Sequence, residues 1–333
     1  MKKMSEKIKW GILSTGHISG KFAEALRTLP EAEIAAVASR DVATAKKFAE
    51  KHRIPKAYGS YSELADDDDV DVVYIGTPHT FHLENSVMCM RAGRSVLCEK
   101  ALTINARETE EMISVAREEN VFLMEAMTTR HVPLIKKIQN WIKSGKIGEI
   151  RMVNASRCLK REFKASDRQL NIELGGGSLL DLGVYVISFA SMIFEKPPES
   201  VFGYGHIGEF GSDEQGAALL KYDKGEIANL SFALSTETVN EAYIFGTEGY
   251  IKIDEIFAVP KKATLVINKK EVEVIKEPTI ESGLTYEAEE VMRCLKKGLK
   301  ESPCMPLNES LLIMQIMDKI RAPWKLIYPN DIQ

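Results

Sequence analysis

The chain has 333 residues, of which 44% are hydrophobic and 28% are charged, and its formal net charge is −4. This length accommodates two domains, and the composition is typical of a soluble globular protein. The small negative charge predicts no nucleic-acid partner and no anionic membrane surface as a partner. We predict neither a signal peptide nor an apolar run long enough to span a bilayer. Five scattered cysteines without C-x-x-C spacing favour a reducing, cytoplasmic location.

The first predicted elements are a strand, a glycine-containing turn and a helix close to the N-terminus. Residues 8–13 form an apolar run, and residues 21–26 have helical periodicity. Gly11 and Gly16 can let the backbone approach a pyrophosphate, and the helix N-terminus supplies N–H donors. The middle glycine of the G-x-G-x-x-G pattern is absent. The pattern alone therefore fits both a nucleotide-binding turn and an ordinary strand–helix connection.

The second predicted strand, residues 33–39, ends at Arg40 and precedes a predicted helix over 42–51. In a mononucleotide-binding unit this strand end lies beside the adenosine ribose. An arginine there can pair with a 2′-phosphate, which favours NADP. The adjacent Asp41 leaves NAD open, and a solvated arginine at a helix start is a third interpretation.

Strands and helices continue to alternate, over residues 71–75, 80–92, 95–98, 105–119 and 121–125. This alternation predicts a doubly wound parallel sheet. Thr77 to His82 and Glu99-Lys100 follow strand ends, at the edge where such sheets bind ligands. His79 and His82 lack further ligands of suitable spacing, so no metal site is predicted. Lys100 either binds a ligand at this edge, or extends into solvent or pairs with Glu99.

The pattern changes near residue 127. A helix is predicted over 132–144 and a strand over 149–156, and a glycine run, 175–177, then leads into a helix that continues to Phe194. Asp181 and Tyr185 are four residues apart on this helix and share one face. They are either a proton-transfer pair or a local structural hydrogen bond.

Strands separated by turn signals make up most of the remaining chain, over residues 200–206, 215–222, 226–234, 242–245, 250–253, 262–267 and 270–275. Two helices, 284–300 and 308–321, follow them. The predicted fold class is therefore α/β. A doubly wound parallel sheet occupies residues 1–126, and an α+β domain with a large, mostly antiparallel open sheet occupies residues 127–333.

Several separated motifs carry a resemblance to one family, at residues 11–18, 56–61, 74–77, 96–100, 124–126, 176–181, 286–288 and 294–298. The chain resembles the Gfo/Idh/MocA family of glucose–fructose oxidoreductases and inositol dehydrogenases. Within that family it is most similar to the branch of dimeric dihydrodiol dehydrogenases and NADP-dependent xylose dehydrogenases. The resemblance implies an N-terminal Rossmann domain and a C-terminal domain for substrate binding and dimerisation.

The resemblance also implies reversible hydride transfer between a nicotinamide and a secondary alcohol of a sugar, polyol or diol. Tyr185 is then the acid/base, helped by the Lys100 ammonium, and Asp181 binds substrate and orients Lys100. Lys100 in addition stabilises alkoxide character on the substrate oxygen. The cofactor, NADP or alternatively NAD, is expected to lie against Gly11, Ser14, Thr15, Gly16, His17, Ile18, Ser39, Arg40, Thr77, Pro78, His79, His82, Glu99, Lys100 and Arg168.

The chain departs from the family pattern at several positions. Ala101 replaces the proline of the Glu-Lys-Pro motif, and Tyr185 replaces the family histidine, as in the dihydrodiol dehydrogenase branch. Arg40 matches an arginine of that branch, whereas Thr44 stands where a second one is expected. Thr128 replaces an active-site tryptophan, which argues against aromatic dihydrodiols as preferred substrates.

A sugar or polyol substrate is favoured by four polar residues, Arg130, Arg161, Asp167 and Asp181. A small molecule is thus the expected partner, together with a second copy of the chain in a homodimer or a tetramer. The alternative function is a non-catalytic NADP-binding regulator or sensor of the same fold. Such a protein is free to lose Lys100, Asp181 or Tyr185, and this chain has all three.

Overall fold

The computed structural model describes residues 7–160, 167–278 and 283–332. Its strands are β1 (Ile8–Leu13), β2 (Ala32–Ala38), β3 (Lys56–Tyr58), β4 (Val72–Ile75), β5 (Ser95–Glu99), β6 (Leu123–Ala126), β7 (Ile150–Cys158), β8 (Ser200–Ile207), β9 (Asp213–Lys221), β10 (Ile227–Ala233), β11 (Ala242–Gly246), β12 (Gly249–Ile253), β13 (Lys262–Ile267) and β14 (Lys270–Lys276). Its α-helices are α1 (His17–Arg27), α2 (Val42–Lys51), α3 (Tyr61–Ala65), α4 (His82–Arg91), α5 (Ala106–Glu118), α6 (Pro133–Lys143), α7 (Val184–Phe194), α8 (Leu284–Lys296) and α9 (Leu307–Arg321).

The chain divides into two compact units. The first takes the described residues of Met1–Thr103, Arg107–Met127 and Ser282–Ser310. The second takes Ile104–Ala106 and the described residues of Thr128–Glu281 and Leu311–Gln333. The sequence predicts one boundary after residue 126, but α8 instead belongs to the first unit. The reason is that α8 packs against α1 and has an apolar face that includes the buried Ala288 and Val291.

A six-stranded parallel sheet forms the centre of the first unit, in the order β3-β2-β1-β4-β5-β6. All of its described pairings are parallel, which confirms the predicted doubly wound sheet. The fully buried β4 reads as a continuous apolar run, as a strand covered on both faces should. The three-residue β3 was not predicted, because a strand this short has no readable period.

An eight-stranded sheet forms the second unit, in the order β14-β13-β12-β11-β7-β10-β9-β8. The pairing of β7 with β10 is parallel, and the other described pairings are antiparallel, which confirms the predicted mostly antiparallel sheet. At the parallel pairing Asn229 lies opposite Asn154, and its side-chain amide donates to the Asn154 side-chain carbonyl at 2.9 Å.

The two faces of this sheet have different neighbours. On one face Gly203 and Gly205 lie against α9 and the residues that follow it. A Cβ at Gly203 would meet Ile320 at 2.6 Å, and one at Gly205 would meet Trp324 at 2.7 Å. The alternate residues of β8 point to the opposite face, where Phe202 is 65% and Tyr204 is 83% exposed. We call this second side the outer face.

One helical stretch in the described chain, Ile172–Phe194, has the length and mean hydropathy (1.7) of a membrane span. The prediction that no apolar run reaches this length is therefore wrong for this stretch. However, 94% of its most apolar window is buried inside the protein. The stretch includes α7, which contacts β7 and β10 of the second sheet, so its apolar side chains are covered by protein.

Candidate active site

The amino end of α1 is open. Gly16 is its N-cap, with extended backbone angles, and no described side chain caps it. The first turn contains no acidic residue, and Gly16 and His17 are exposed. A Cβ at Gly16 would meet nothing within 4 Å. The free N–H groups and partial positive charge of this first turn therefore face open space, as binding of a dinucleotide pyrophosphate requires.

Ser14 shapes the turn that leads to this helix end. Its φ is 105°, and its hydroxyl contacts the Ser19 hydroxyl at 2.7 Å and donates to the Gly76 carbonyl at 2.8 Å. A Cβ at Gly76 would lie 2.6 Å from the Ser19 hydroxyl, so only glycine fits there. These contacts join the carboxyl ends of β1 and β4. Thr15 and Ile18 lie partly exposed beside them.

Gly11 serves packing rather than ligand approach. It lies buried inside β1, and a Cβ there would come within about 3.0 Å of Val70 and 3.1 Å of Leu64. Both of these neighbours are interior side chains of the first unit. The side on which Gly11 lacks a Cβ thus faces the core, and its contact with a pyrophosphate stays a prediction.

Arg40 and Asp41, which follow the end of β2, have different surroundings. The Asp41 carboxylate caps α2 and accepts from the Thr44 amide at 2.8 Å and from its hydroxyl at 2.7 Å. These bonds lower the pKa of Asp41. Arg40 is exposed, and Ser39 donates its amide to Tyr58. The aspartate that left NAD open is thus engaged as a helix cap, and the exposed arginine is the charged group that remains for a ribose phosphate.

The histidines after β4 hold backbone rather than line an open edge. His82 is fully buried, and its Nδ1 lies 3.0 Å from the Ala101 carbonyl while its Nε2 lies 2.9 Å from the Thr77 carbonyl. The His79 ring lies 3.1 Å from the Lys100 carbonyl. Both ring nitrogens of His82 thus face backbone carbonyls, and its contact with the cofactor stays a prediction. Its role is to fix the segment that contains Lys100.

Further contacts fix the backbone on both sides of Lys100. Glu99 accepts from the Tyr74 hydroxyl at 2.6 Å and from the Lys100 amide at 3.3 Å. Burial raises the pKa of Tyr74 well above its usual value, so Tyr74 remains a donor. The Leu102 amide donates to Glu125 at 3.1 Å. Lys100 itself is partly exposed at the end of β5.

Near this edge Thr77 is buried, with its hydroxyl 3.2 Å from Asn85, whereas Pro78 is partly exposed. No group of three or more His, Cys, Asp and Glu residues suited to a metal occurs among the described residues.

In the second unit, Asp181 lies on a π-helical turn, Leu179–Gly183, that runs directly into α7. One Asp181 oxygen accepts from the Gln169 side-chain amide at 3.1 Å, and the other lies 3.8 Å from the exposed Arg168 guanidinium. Asp181 is 8% exposed. The turn thus carries a carboxylate that Gln169 anchors, and the Arg168 guanidinium lies close to this acid.

Tyr185 is partly exposed on the same helix, two residues into α7. The Arg157 guanidinium of β7 lies over its ring, 6.0 Å from the centroid. A cation in this position stabilises negative charge on the phenol oxygen. Arg157 was not predicted, because it is 28 residues earlier in the chain and on a different element.

The polar residues used to favour a sugar have different roles. Arg130 is 6% exposed, and its guanidinium donates to the Ser188 hydroxyl at 3.1 Å and carbonyl at 2.8 Å. It therefore holds α7, and its polarity is used within the protein. Arg161 lies outside the described residues, Asp167 is partly exposed, and Thr128 is buried.

Comparison with known proteins covers nearly the whole chain. Residues 8–127 match the oxidoreductase family with an NAD-binding Rossmann fold, and residues 135–252 match the GFO/IDH/MocA C-terminal domain. A trans-1,2-dihydrobenzene-1,2-diol dehydrogenase of Xenopus laevis is 41% identical, with 96% of this chain and 99% of that protein covered. The Bos taurus enzyme of the same name is 38% identical, with 97% and 99% covered.

Solved structures match as well. A 3-ketoreductase from Actinomadura kijaniata, in complex with NADP and TDP-benzene, has a TM-score of 0.87 and 27% identity, with 95% of this chain and 97% of that chain covered. An aldose-aldose oxidoreductase from Caulobacter crescentus shares the fold, with a TM-score of 0.86 at 21% identity and the same coverage. The chain therefore belongs to the GFO/IDH/MocA family of oxidoreductases, whose N-terminal domain is an NAD-binding Rossmann fold.

Proposed function

We propose that this protein is an NADP-dependent dehydrogenase that reversibly oxidises a secondary alcohol of a sugar, polyol or diol. The observation that carries the proposal is the combination of an open α1 amino end with Asp181 and Tyr185 on one anchored helix. Lys100 at the end of β5 completes the proposed set of catalytic residues. The similarity to dihydrodiol dehydrogenases over nearly the full length supports the same reaction class.

The preference for NADP rests on the end of β2. Asp41 caps α2 through Oδ2, which accepts from both the amide and the hydroxyl of Thr44, so Oδ2 is already engaged where an NAD-binding acid uses both oxygens on the ribose hydroxyls. Arg40 is exposed beside it and can pair with a 2′-phosphate. The NADP held by the Actinomadura kijaniata 3-ketoreductase agrees with this choice. We place the pyrophosphate at the α1 amino end, against Thr15, Gly16 and His17.

The chain's own residues supply the proton chemistry. A bound NADP would supply the hydride acceptor for oxidation at the alcohol carbon, and its reduced form the hydride donor for reduction at the carbonyl carbon. Tyr185 takes the hydroxyl proton at its phenol oxygen during oxidation, and Arg157 favours the charged form of that oxygen. Lys100 hydrogen-bonds the substrate oxygen and stabilises alkoxide character there. Asp181 accepts from a substrate hydroxyl, and the Gln169 side-chain amide fixes its orientation.

The decisive experiment measures absorbance at 340 nm with NADP⁺ and a panel of pentoses, hexoses, inositols and diols. Tyr185→Phe and Lys100→Met are each expected to lower turnover roughly a hundredfold or more while NADPH binding stays measurable. Glu118→Lys, at an exposed position in the last turn of α5, is the control and keeps full activity. Inactivity across the panel together with tight NADPH binding would instead identify a regulator or sensor. Near-normal turnover of either active-site variant would refute the assigned roles.

We further propose that the protein is a cytoplasmic homodimer that pairs through the outer face of the eight-stranded sheet. A shallow cavity of about 800 Å³ on this face is lined by Phe202, Tyr204 and Leu219, all of them exposed. An apolar sheet face that meets its own copy about a two-fold axis buries such side chains on both chains at once.

Sedimentation velocity tests this pairing. Tyr204→Glu should convert the dimer to monomer, and Glu118→Lys should not. A wild-type chain that sediments as a monomer at micromolar concentration would refute the dimer, and a tetramer would require a second interface.

A further inference from the structure

A buried aspartate outside the proposed catalytic set lies at the start of β9. Asp213 is completely buried, and its Oδ2 accepts from the Ser178 hydroxyl and from the Leu179 amide, both at 2.7 Å. Ser178 and Leu179 begin the helical segment that carries Asp181 and Tyr185. The carboxylate therefore acts as a cap that comes from a strand 35 residues away in the chain.

The turn before this helix is held from other sides as well. Gly177 has a φ of +135°, and a Cβ there would lie 2.1 Å from Asp213 Oδ1, so the backbone lies directly against the carboxylate. The buried Tyr328 hydroxyl donates to the Gly176 carbonyl at 3.0 Å. The Gly177 amide donates to the Gln169 carbonyl at 2.8 Å. The path of this turn is thus determined by hydrogen bonds and by the close approach of Asp213.

The same contacts reach Asp181. Gln169, whose carbonyl holds Gly177, donates its side-chain amide to Asp181 Oδ2 at 3.1 Å. Asp181 is only two residues beyond Leu179, whose amide donates to Asp213. A shift of the first turn would therefore move Asp181 directly, and Tyr185 one turn later along the same helix.

Burial of the Asp213 carboxylate lowers the stability of the folded protein. No described donor reaches Oδ1, and burial raises the pKa of Asp213 to about 7. An incompletely paired buried polar oxygen opposes folding, because it has lost its hydrogen bonds to water. A feature that opposes stability and yet fixes the helix of the proposed acid/base is typical of a residue that serves the site.

We infer that Asp213 is a positioning residue: through Ser178 and Leu179 it fixes the helix start that places Asp181 and Tyr185 for proton transfer. The inference rests on the proposed dehydrogenase function. It assigns no contact of Asp213 with substrate or cofactor.

The test compares Asp213→Ala with Asp213→Asn in the full-length protein. The asparagine keeps one acceptor oxygen for Ser178 and Leu179, whereas the alanine removes it. Glu226→Gln is the matched control, since Glu226 is also a buried acid of this unit and pairs with Lys196 at 2.7 Å. It follows the far end of β9, about 25 Å from Asp213 at roughly 3.3 Å per residue.

Three readouts are taken well below the melting temperature: kcat per folded molecule, the dissociation constant of NADPH, and amide hydrogen exchange of residues 177–186. For Asp213→Ala we expect kcat to fall roughly tenfold or more, because small misplacements of reacting groups are costly. NADPH affinity should stay within threefold, and exchange should accelerate only in residues 177–186. Asp213→Asn and Glu226→Gln should keep kcat within threefold and retain the protection of those amides.

Two results would overturn the inference. One is an Asp213→Ala protein of lower melting temperature but unchanged kcat per folded molecule, which would make the role purely structural. The other is an Asp213→Asn protein whose kcat is as low as that of Asp213→Ala. This result would show that the oxygen that accepts from Ser178 and Leu179 is not what maintains kcat. Wild-type inactivity across the substrate panel would defeat the proposed function instead. Unchanged exchange in Asp213→Ala would refute the anchor by itself, with or without activity.

Discussion

Helix α1 of the first unit and the helical segment that begins at Leu179 in the second both follow a glycine-containing turn. The amino end of α1 has no described side-chain cap and no first-turn acid, and the space around Gly16 is open. The amino end at Leu179 is closed by the Asp213 carboxylate, and Gly177 fits only because it lacks a Cβ. Helix starts carry the same unpaired N–H groups everywhere. An open start leaves them for an anionic ligand, and a closed start uses them to fix the side chains that follow.

The largest expected effect comes from closing the open end. Gly16→Asp would place a carboxylate at the α1 N-cap, where it would compete with the pyrophosphate for the helix N–H groups and repel its charge. We expect NADPH affinity to fall roughly a hundredfold, a loss of about 2.7 kcal/mol of binding free energy, while thermal stability stays equal or rises. Isothermal titration calorimetry measures the affinity.

Gly16→Ala is the neutral comparison, since the space around Gly16 holds a methyl group without contact in the free protein. Unchanged NADPH affinity in Gly16→Asp would show that the open end does not bind the pyrophosphate and would remove the contrast between the two helices.

A smaller effect concerns the end of β2, which assists the open helix. Arg40→Ser removes the exposed cation proposed to bind the 2′-phosphate. We expect the KM for NADP⁺ to rise roughly tenfold, about 1.4 kcal/mol, with little change for NAD⁺. Steady-state kinetics with both cofactors measure the ratio. An equal change for both cofactors would contradict a role in reading the 2′-phosphate.

The smallest effect concerns the closed end and depends on pH. The pKa of Asp213 is raised to about 7 in the folded protein from an ordinary value near 4, so the folded state holds a proton that the unfolded state has lost. Its contribution to stability is complete below pH 4 and is lost as the pH rises through 7. Between pH 6 and pH 8 the wild-type unfolding free energy should therefore fall by about 1 kcal/mol relative to Asp213→Asn.

Urea unfolding of both proteins at pH 6, 7 and 8 measures this difference. Parallel pH dependence in the two proteins would show that Asp213 does not titrate in this range. The two helix ends would then differ in geometry, but the Asp213 carboxylate that closes one of them would carry no pH-dependent cost in folding free energy.

Much of the fold could be predicted from the sequence because its periodicity is local. The alternation of strands and helices indicated the parallel sheet, and turn signals marked the strands of the second sheet. The predicted strand ends placed Arg40 and Lys100 at a ligand-binding edge. The short β3 and the return of α8 to the first unit escaped prediction, because neither a three-residue strand nor a packing partner is visible in a hydrophobic pattern.

The site was less predictable because side-chain direction and distant partners are not encoded locally. Gly11 and His82 have the right residue types at suggestive positions, yet one faces the core and the other faces backbone carbonyls. Asp213 and Arg157 act on the helix of Tyr185 from β9 and β7. Their roles depend on strand register, which a single sequence does not reveal.

The apolar helix of the second unit has a consequence for how the chain is made. During synthesis α7 is complete at Phe194, whereas β10, one of the strands it packs against, is complete only at Ala233. For about forty residues of translation, or roughly 2–8 s at 5–20 residues per second, the uncharged helix α7 lacks β10, one of the strands that cover it. Chaperone demand in the cell should therefore be concentrated in this interval. A ribosome that pauses after α7 has left the exit tunnel and before β10 has left it would keep this apolar helix without one of its covering strands.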